Sequence, residues 1–284
     1  MELKTAKREQ VKLRVGISGA SGFGKTYSAL LMAYGMTNDW SKIGVVDTEN
    51  NSASLYAHLG HFKALCLTKP YSPEKYIEAI QTCEKSNIKV IILDSISHEW
   101  NGPGGCLEIH NDLGGRWQDW GVVTPRHQNF ISAILESTCH MITTTRRKMD
   151  YSMESDGNGK TRVIKHGMKE ITRDGFEYEL TVNFELTNEN HLAKASKDRT
   201  GLFMGRPEFI INPKIGKKLI EWCNHDVIFQ GVVEKINACE NLDELRKIYE
   251  SNQAIKEDIY PLIMNKKTNL EALKSHLVNE TEIN

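Results

Sequence analysis

The chain has 284 residues, of which 39% are hydrophobic, and carries a formal net charge of −1. That length accommodates one sizeable α/β domain and a small appendage, and that hydrophobic fraction excludes a disordered chain. A charge so close to zero excludes a global basic field, so any nucleic-acid contact has to come from a local patch. The cysteines, Cys66, Cys83, Cys106, Cys139, Cys223 and Cys239, form no CxxC pair and no Cys/His run at zinc spacing. No apolar signal segment precedes the first strand, and no apolar run approaches the roughly 18 residues that span a bilayer. The expectation is a cytoplasmic protein with reduced thiols and no membrane contact.

Taken in order, the elements alternate as βαβ units do. Lys12–Ser18 reads as a strand and Lys25–Gly35 as the helix after it; Ile43–Thr48 is a second buried strand. A helix follows over Pro73–Ser86, with Ser72 as cap and Pro73 at the first helical position. Lys89–Asp94 is the most strand-like run in the chain. Pro125–Thr138 then reads as a helix and His140–Thr145 as a strand. Met149–Lys160 is polar and contains the turn signal Asp156-Gly157-Asn158-Gly159. Arg162–Lys169 and Phe176–Leu186 alternate as antiparallel strands do, and His191–Ser196 is a further strand. Glu208–Ile211 and the helix Lys214–Cys223 finish this part. From about His225 the spacing is helical and charged, over Val227–Cys239, Leu242–Ser251 and Asn269–Leu277. The expected division is a core of residues 1–224 and a helical appendage of residues 225–284.

Gly19-Ala20-Ser21-Gly22-Phe23-Gly24-Lys25-Thr26 fits G-x-x-x-x-G-K-[ST] in full. Small residues let consecutive backbone N–H groups turn inward around phosphate oxygens, and the following helix aims its positive end at the same anion. Lys25 is expected to bridge the β- and γ-phosphates of ATP, and the Thr26 hydroxyl to ligate Mg²⁺. Tyr27 completes the set of residues expected to contact the nucleotide. The match sits between a strand and a helix, where the mechanism requires it.

Hydrolysis also needs carboxylates. Asp94 closes the apolar run Val90-Ile91-Ile92-Leu93 and is the expected second metal ligand. Ser95 follows it, so a base has to come from elsewhere. Glu49, at the end of the second strand, stands where ligands of open parallel sheets gather. Glu99, five residues past Asp94, is the competitor.

At these residues the chain resembles the RecA-type ATPases. The segment from Val45 to Tyr56 looks like that family's second-strand segment, in which the Glu activates the attacking water, and Leu93-Asp94-Ser95-Ile96 looks like its Walker B strand. A longer likeness, over about residues 11–222, is to phage and prophage ATPases of the AAA family with a RecA fold. It is carried by Trp120-Gly121-Val122-Val123-Thr124-Pro125, Thr143-Thr144-Thr145-Arg146-Arg147-Lys148, Phe176-Glu177-Tyr178-Glu179 and Ala195 to Gly201. The resemblance implies a RecA-like P-loop core with a mostly parallel central sheet and antiparallel hairpin additions, plus the helical appendage. It places the protein in a bacterial host or phage-infected cell.

Lys197-Asp198-Arg199-Thr200-Gly201 resembles the Lys-Asn-Arg-x-Gly segment of RecA-type hexameric helicases and the RadA recombination factor, whose two cations reach a neighbouring subunit's ATP. Alternate strand residues point the same way, so Lys197 and Arg199 are expected to converge on one γ-phosphate. A homo-oligomer follows from that expectation; a charged hairpin end is the plainer reading. Single-stranded DNA is a second expected partner. The cation-bearing stretch from Arg146 to Arg173 and the tryptophans Trp100, Trp117 and Trp120 are its candidate contacts, with simple packing as the alternative for the tryptophans. The tail is open to docking a single-strand-binding or annealing protein, or to serving as a lid of helices. Two rival functions remain: a nucleotide-switched protein-binding module with slow hydrolysis and no DNA contact, and a small-molecule P-loop kinase.

Overall fold

The computed structural model describes residues 3, 8, 11–155 and 161–281. The chain divides into two compact units, Lys12–Lys217 and a second made of Met1–Val11 with Lys218–Asn284.

In the first unit the strands β1 (Arg14–Gly19), β2 (Ile43–Asp47), β3 (Lys63–Cys66), β4 (Val90–Asp94), β5 (His140–Ser155), β6 (Thr161–Glu170), β7 (Val182–Leu186), β8 (Leu192–Asp198) and β9 (Phe209–Ile210) build one sheet. Its order is β3-β2-β4-β5-β1-β7-β8-β9, with β6 hydrogen-bonded to β5. The run from β3 to β7 is parallel; β6, β8 and β9 pair antiparallel. Buried on both faces, β2 and β4 read as near-continuous apolar runs rather than alternating ones, and β1 is buried along its whole length. Successive side chains of β4 take opposite faces. Ile91 and Leu93 pack under α2 (Pro73–Lys85) and α5 (Trp120–Glu136), together with Val46, Tyr76, Ile80, Phe130, Ile134 and Met141. Helix α1 (Lys25–Thr37) packs against β1, β2, β4 and β5. It also lies against α6 (Pro213–Cys223). There a Cβ on Gly35 would fall 1.9 Å from the Pro213 carbonyl oxygen, and one on Gly216 would fall 2.0 Å from that of Met32.

One buried cation ties the far end of the sheet together. The Arg14 guanidinium donates to the carbonyls of Leu13 (3.1 Å), Cys139 (2.8 Å), Leu135 (2.8 Å) and Ser137 (2.7 Å), collecting the orphan carbonyls where α5 ends. Burial pulls its pKa down to about 10, which still leaves it charged at neutral pH. Arg14→Leu removes this donor from the Leu135, Ser137 and Cys139 carbonyls, while the Leu13 carbonyl keeps the Met141 N–H, and is expected to cost about 2–4 kcal/mol of stability. A thermal melt checks this, and an unchanged midpoint would mean that the carbonyls find other donors.

Several elements differ from the expectation. The 176–186 stretch is not one antiparallel strand: Phe176–Glu179 is a 3₁₀ turn, and β7 begins at Val182 and runs parallel to β1. Pro125 does not open α5 but sits inside it, five residues after the start at Trp120. Proline lacks an N–H, so at this position, past the first turn, the helix gives up the bond that residue 125 would donate. Strand β3 and the short helices α3 (Ser97–Asn101) and α4 (Cys106–Asp112) had no clear periodic signal. Strand β5 extends through Ser155, well into the polar stretch, because β6 pairs with it over that length. The Asp156–Gly159 turn signal lies outside the described residues.

The second unit is helical: α7 (His225–Ala238), α8 (Leu242–Ser251) and α9 (Lys256–Thr281) share a core of Val232, Ile236, Leu245, Ile255, Ile259, Ile263 and Leu270. Asn241 caps α8 by accepting from the Glu244 N–H at 2.8 Å. Among the described residues no helix is long and apolar enough to cross a membrane.

Candidate functional site

The loop between β1 and α1 turns on two glycines with positive φ, Gly22 at 81° and Gly24 at 85°. At Gly24 the need is double. The backbone is left-handed, and a Cβ would fall 2.6 Å from the ring of His191. His191 reaches over from the β7–β8 hairpin, and its Nδ1 lies 2.8 Å from the Phe23 carbonyl oxygen, so the loop is braced by its neighbour. Lys25 begins α1, and its ammonium donates back to the Ala20 carbonyl at 2.9 Å. Burial lowers the Lys25 pKa, while Asp94 and Glu49 act in the opposite sense.

Asp94 ends β4 beneath this loop and is 1% exposed. Its two oxygens accept from Thr26 Oγ1 at 2.6 Å and Thr144 Oγ1 at 2.5 Å. Burial raises its pKa, and these two hydroxyl donors counter the shift. A hydroxyl and a carboxylate side by side beneath the phosphate loop are hard oxygen donors of the type Mg²⁺ takes, so Thr26 and Asp94 fit that ion. The second strand delivers Glu49 to the same place. Asp47, fully buried, accepts the backbone N–H groups of Glu49 (2.6 Å) and Ala53 (2.7 Å) and so shapes the turn. Asn50 and Asn51 complete that turn with φ of 55° and 65°, a conformation asparagine tolerates. Glu49 Oε1 then meets Arg146 Nε at 2.9 Å and Arg146 Nη2 at 2.8 Å.

Lys25, Thr26, Tyr27, Glu49, Asp94 and Arg146 therefore line one cavity of about 630 Å³, together with Ser21, Gly22, Gly24, Tyr56 and His191. Gly19, Ala20 and Phe23 lie in the loop without lining it. Tyr27 and Tyr56 form an aromatic pair with ring centroids 5.8 Å apart. Two features of this cavity carry no local sequence signal: the His191 brace and the Thr144 bond to Asp94 both depend on strand neighbours far apart in the chain.

Other expected residues lie elsewhere. Glu99 is fully buried, bonded to Cys106 and His127, and does not line this cavity. Lys197 and Arg199 do point the same way, but onto their own chain: both donate to the Tyr178 carbonyl, Arg199 at 2.6 Å, and Lys197 also donates to the Glu177 carbonyl at 2.6 Å. A second and larger cavity of about 1010 Å³ joins the two regions singled out for nucleic acid. Trp100, Trp117 and Trp120 line it, as do Lys148, Lys169 and Arg173, with Asp150, Glu170 and Asp174 beside them in the lining. Trp100 stacks on Trp120 and Trp120 on His110, whereas Trp117 is 86% exposed. Ile171 lines both cavities. Of these two cavities, the smaller brings together the phosphate loop, the Thr26 and Asp94 oxygens and the Glu49 carboxylate, which is ion-paired with Arg146.

In comparison with known proteins, the AAA domain family matches residues 11–229, most of the chain. No curated relative matches it.

Proposed function

The chain belongs to the AAA domain family, and on that premise we propose that it is a Mg²⁺-dependent, RecA-type ATPase that acts with single-stranded DNA in phage-type recombination or replication. The observation that carries the ATPase reading is the convergence of Lys25, Thr26, Asp94 and Glu49 on one cavity. Mg²⁺, when bound, supplies positive charge to the phosphate oxygens. The loop amides and Lys25 hold the phosphates, and Tyr27 and Tyr56 offer an aromatic wall for the base. Glu49 takes the proton of the attacking water as its oxygen bonds to the γ-phosphorus and the bond to the β-phosphate oxygen breaks, leaving ADP and phosphate. Lys197 and Arg199, turned away from their own cavity, would serve a neighbouring copy's nucleotide in a homo-oligomer.

The DNA reading rests on the larger cavity. Its cations are matched by as many carboxylates, so it is not a uniform basic track, and base stacking on the exposed Trp117 has to supply most of the affinity. Trp117→Ala is expected to weaken single-stranded DNA binding by about tenfold or more. Strand β5 carries both Arg146 in the nucleotide cavity and Lys148 in the groove, a short route between them. The test is phosphate release with MgATP, with and without single-stranded DNA. Stimulation that Trp117→Ala loses supports both halves; turnover indifferent to DNA keeps the ATPase and removes the DNA role. The Glu49–Arg146 ion pair favours a second reading, a nucleotide-switched module that hydrolyses slowly because its carboxylate is occupied. Tight ATP binding with near-zero turnover in the presence of DNA would select it.

A further inference from the structure

Between β4 and α5 the chain runs through α3 and α4, of five and seven residues. Helices this short need tertiary support. The apolar cluster that holds α2 and α5 to the sheet includes no residue from either. What this stretch buries is instead largely polar: Ser97, Glu99, Cys106, His110 and Asp119.

Three side chains from three elements meet there. Glu99 comes from α3, Cys106 opens α4, and His127 lies in the middle of α5. Cys106 Sγ is 3.0 Å from Glu99 Oε1, and His127 Nδ1 is 3.0 Å and 3.1 Å from the two Glu99 oxygens. The donor atoms lie within 4.8 Å of one another, and the three residues are 0%, 0% and 3% exposed. Because both carboxylate oxygens face the imidazole, one sulfur, one nitrogen and two oxygens are gathered in one place. The loop that closes the cluster is tight: a Cβ on Gly105 would fall 2.6 Å from the Glu99 carbonyl oxygen.

We propose that Glu99, Cys106 and His127 form a structural zinc site, with the Glu99 carboxylate bidentate, that staples α3, α4 and α5 together. Thiolate, imidazole and carboxylate are the donors zinc takes in closed four-coordinate sites. Metal–ligand distances of about 2.0–2.3 Å require the Cys106 sulfur and the His127 nitrogen to move only about 0.5 Å from their hydrogen-bonded positions on Glu99. Zinc replaces the two bridging hydrogens. The thiol proton leaves to solvent, and the imidazole carries its proton on Nε2 instead of Nδ1. A redox or nucleophilic role for Cys106 does not compete, because its side chain is fully buried and out of reach of a reaction partner. Trp100 and Trp120 stand beside the cluster, with the Trp100 ring 5.5 Å from that of His127, so the staple also fixes one wall of the larger cavity.

The test uses the full chain, expressed in zinc-supplemented medium without a histidine tag and dialysed against metal-free buffer. Elemental analysis is expected to give about one zinc per chain. Exchange for Co²⁺ is expected to produce a near-ultraviolet thiolate-to-cobalt absorption, a signature that an ion bound to Thr26 and Asp94 cannot give. The band should vanish in Cys106→Ser, and Glu99→Gln should reduce bound zinc at least about tenfold. Folded wild-type protein with only trace zinc and no cobalt band would overturn the site. A band persisting in Cys106→Ser would overturn it as well, by assigning the metal to another cysteine. The wild-type measurement stands even if the Cys106 variant does not fold.

Discussion

Phosphate release from MgATP is expected to fall by at least about 100-fold when Lys25 is replaced by alanine. The Lys25 ammonium is nearly buried, anchored to the Ala20 carbonyl, and among the described residues is the one lysine that lines the nucleotide cavity. Removing it takes away the cation that stands at the phosphate loop itself, while the Gly22 and Gly24 turn and the His191 brace stay in place. The structural cost is small, about 1 kcal/mol for the Ala20 carbonyl left without its partner. A melting curve close to wild type beside a flat phosphate-release trace is therefore the expected pair of results. Full turnover in this variant would sink the assignment of the cavity to ATP.

Glu49→Gln is expected to lower kcat by about 100-fold or more while leaving nucleotide affinity within a few-fold of wild type. The amide oxygen of glutamine can still accept from Arg146, and the turn held by Asp47 does not involve the Glu49 side chain. What is lost is a group able to take a proton. A fluorescent-nucleotide titration beside single-turnover hydrolysis separates binding from chemistry. A variant that hydrolyses at the wild-type rate would remove Glu49 from the reaction. Glu99 would not then take its place, because it is sealed from the cavity by its bonds to Cys106 and His127.

Much of this site is legible in the residues themselves. The phosphate loop is a contiguous eight-residue pattern whose chemistry depends on local backbone conformation, so its position between a strand and a helix follows from sequence. Asp94 and Glu49 are likewise readable, because Asp94 ends and Glu49 closely follows an apolar run that has to be a buried parallel strand, and all such strands end on the same edge of the sheet. The helical character of the last sixty residues is also local, written in i, i+3, i+4 spacing.

Only the tertiary structure decided the rest, for one physical reason: contacts between residues far apart in the chain leave no periodic trace. Strand order put β5 between β1 and β4, and that placed Thr144 on the Asp94 carboxylate and Arg146 on Glu49. The β7–β8 hairpin brought His191 onto the phosphate loop across 168 residues of sequence. Lys197 and Arg199 keep the common direction that strand periodicity demands, yet the 3₁₀ turn at Phe176–Glu179 decided what they meet. The cysteines show no zinc spacing along the chain. Folding nevertheless sets Cys106 against Glu99 and His127, which a linear motif of ligands cannot express because three separate helices supply them.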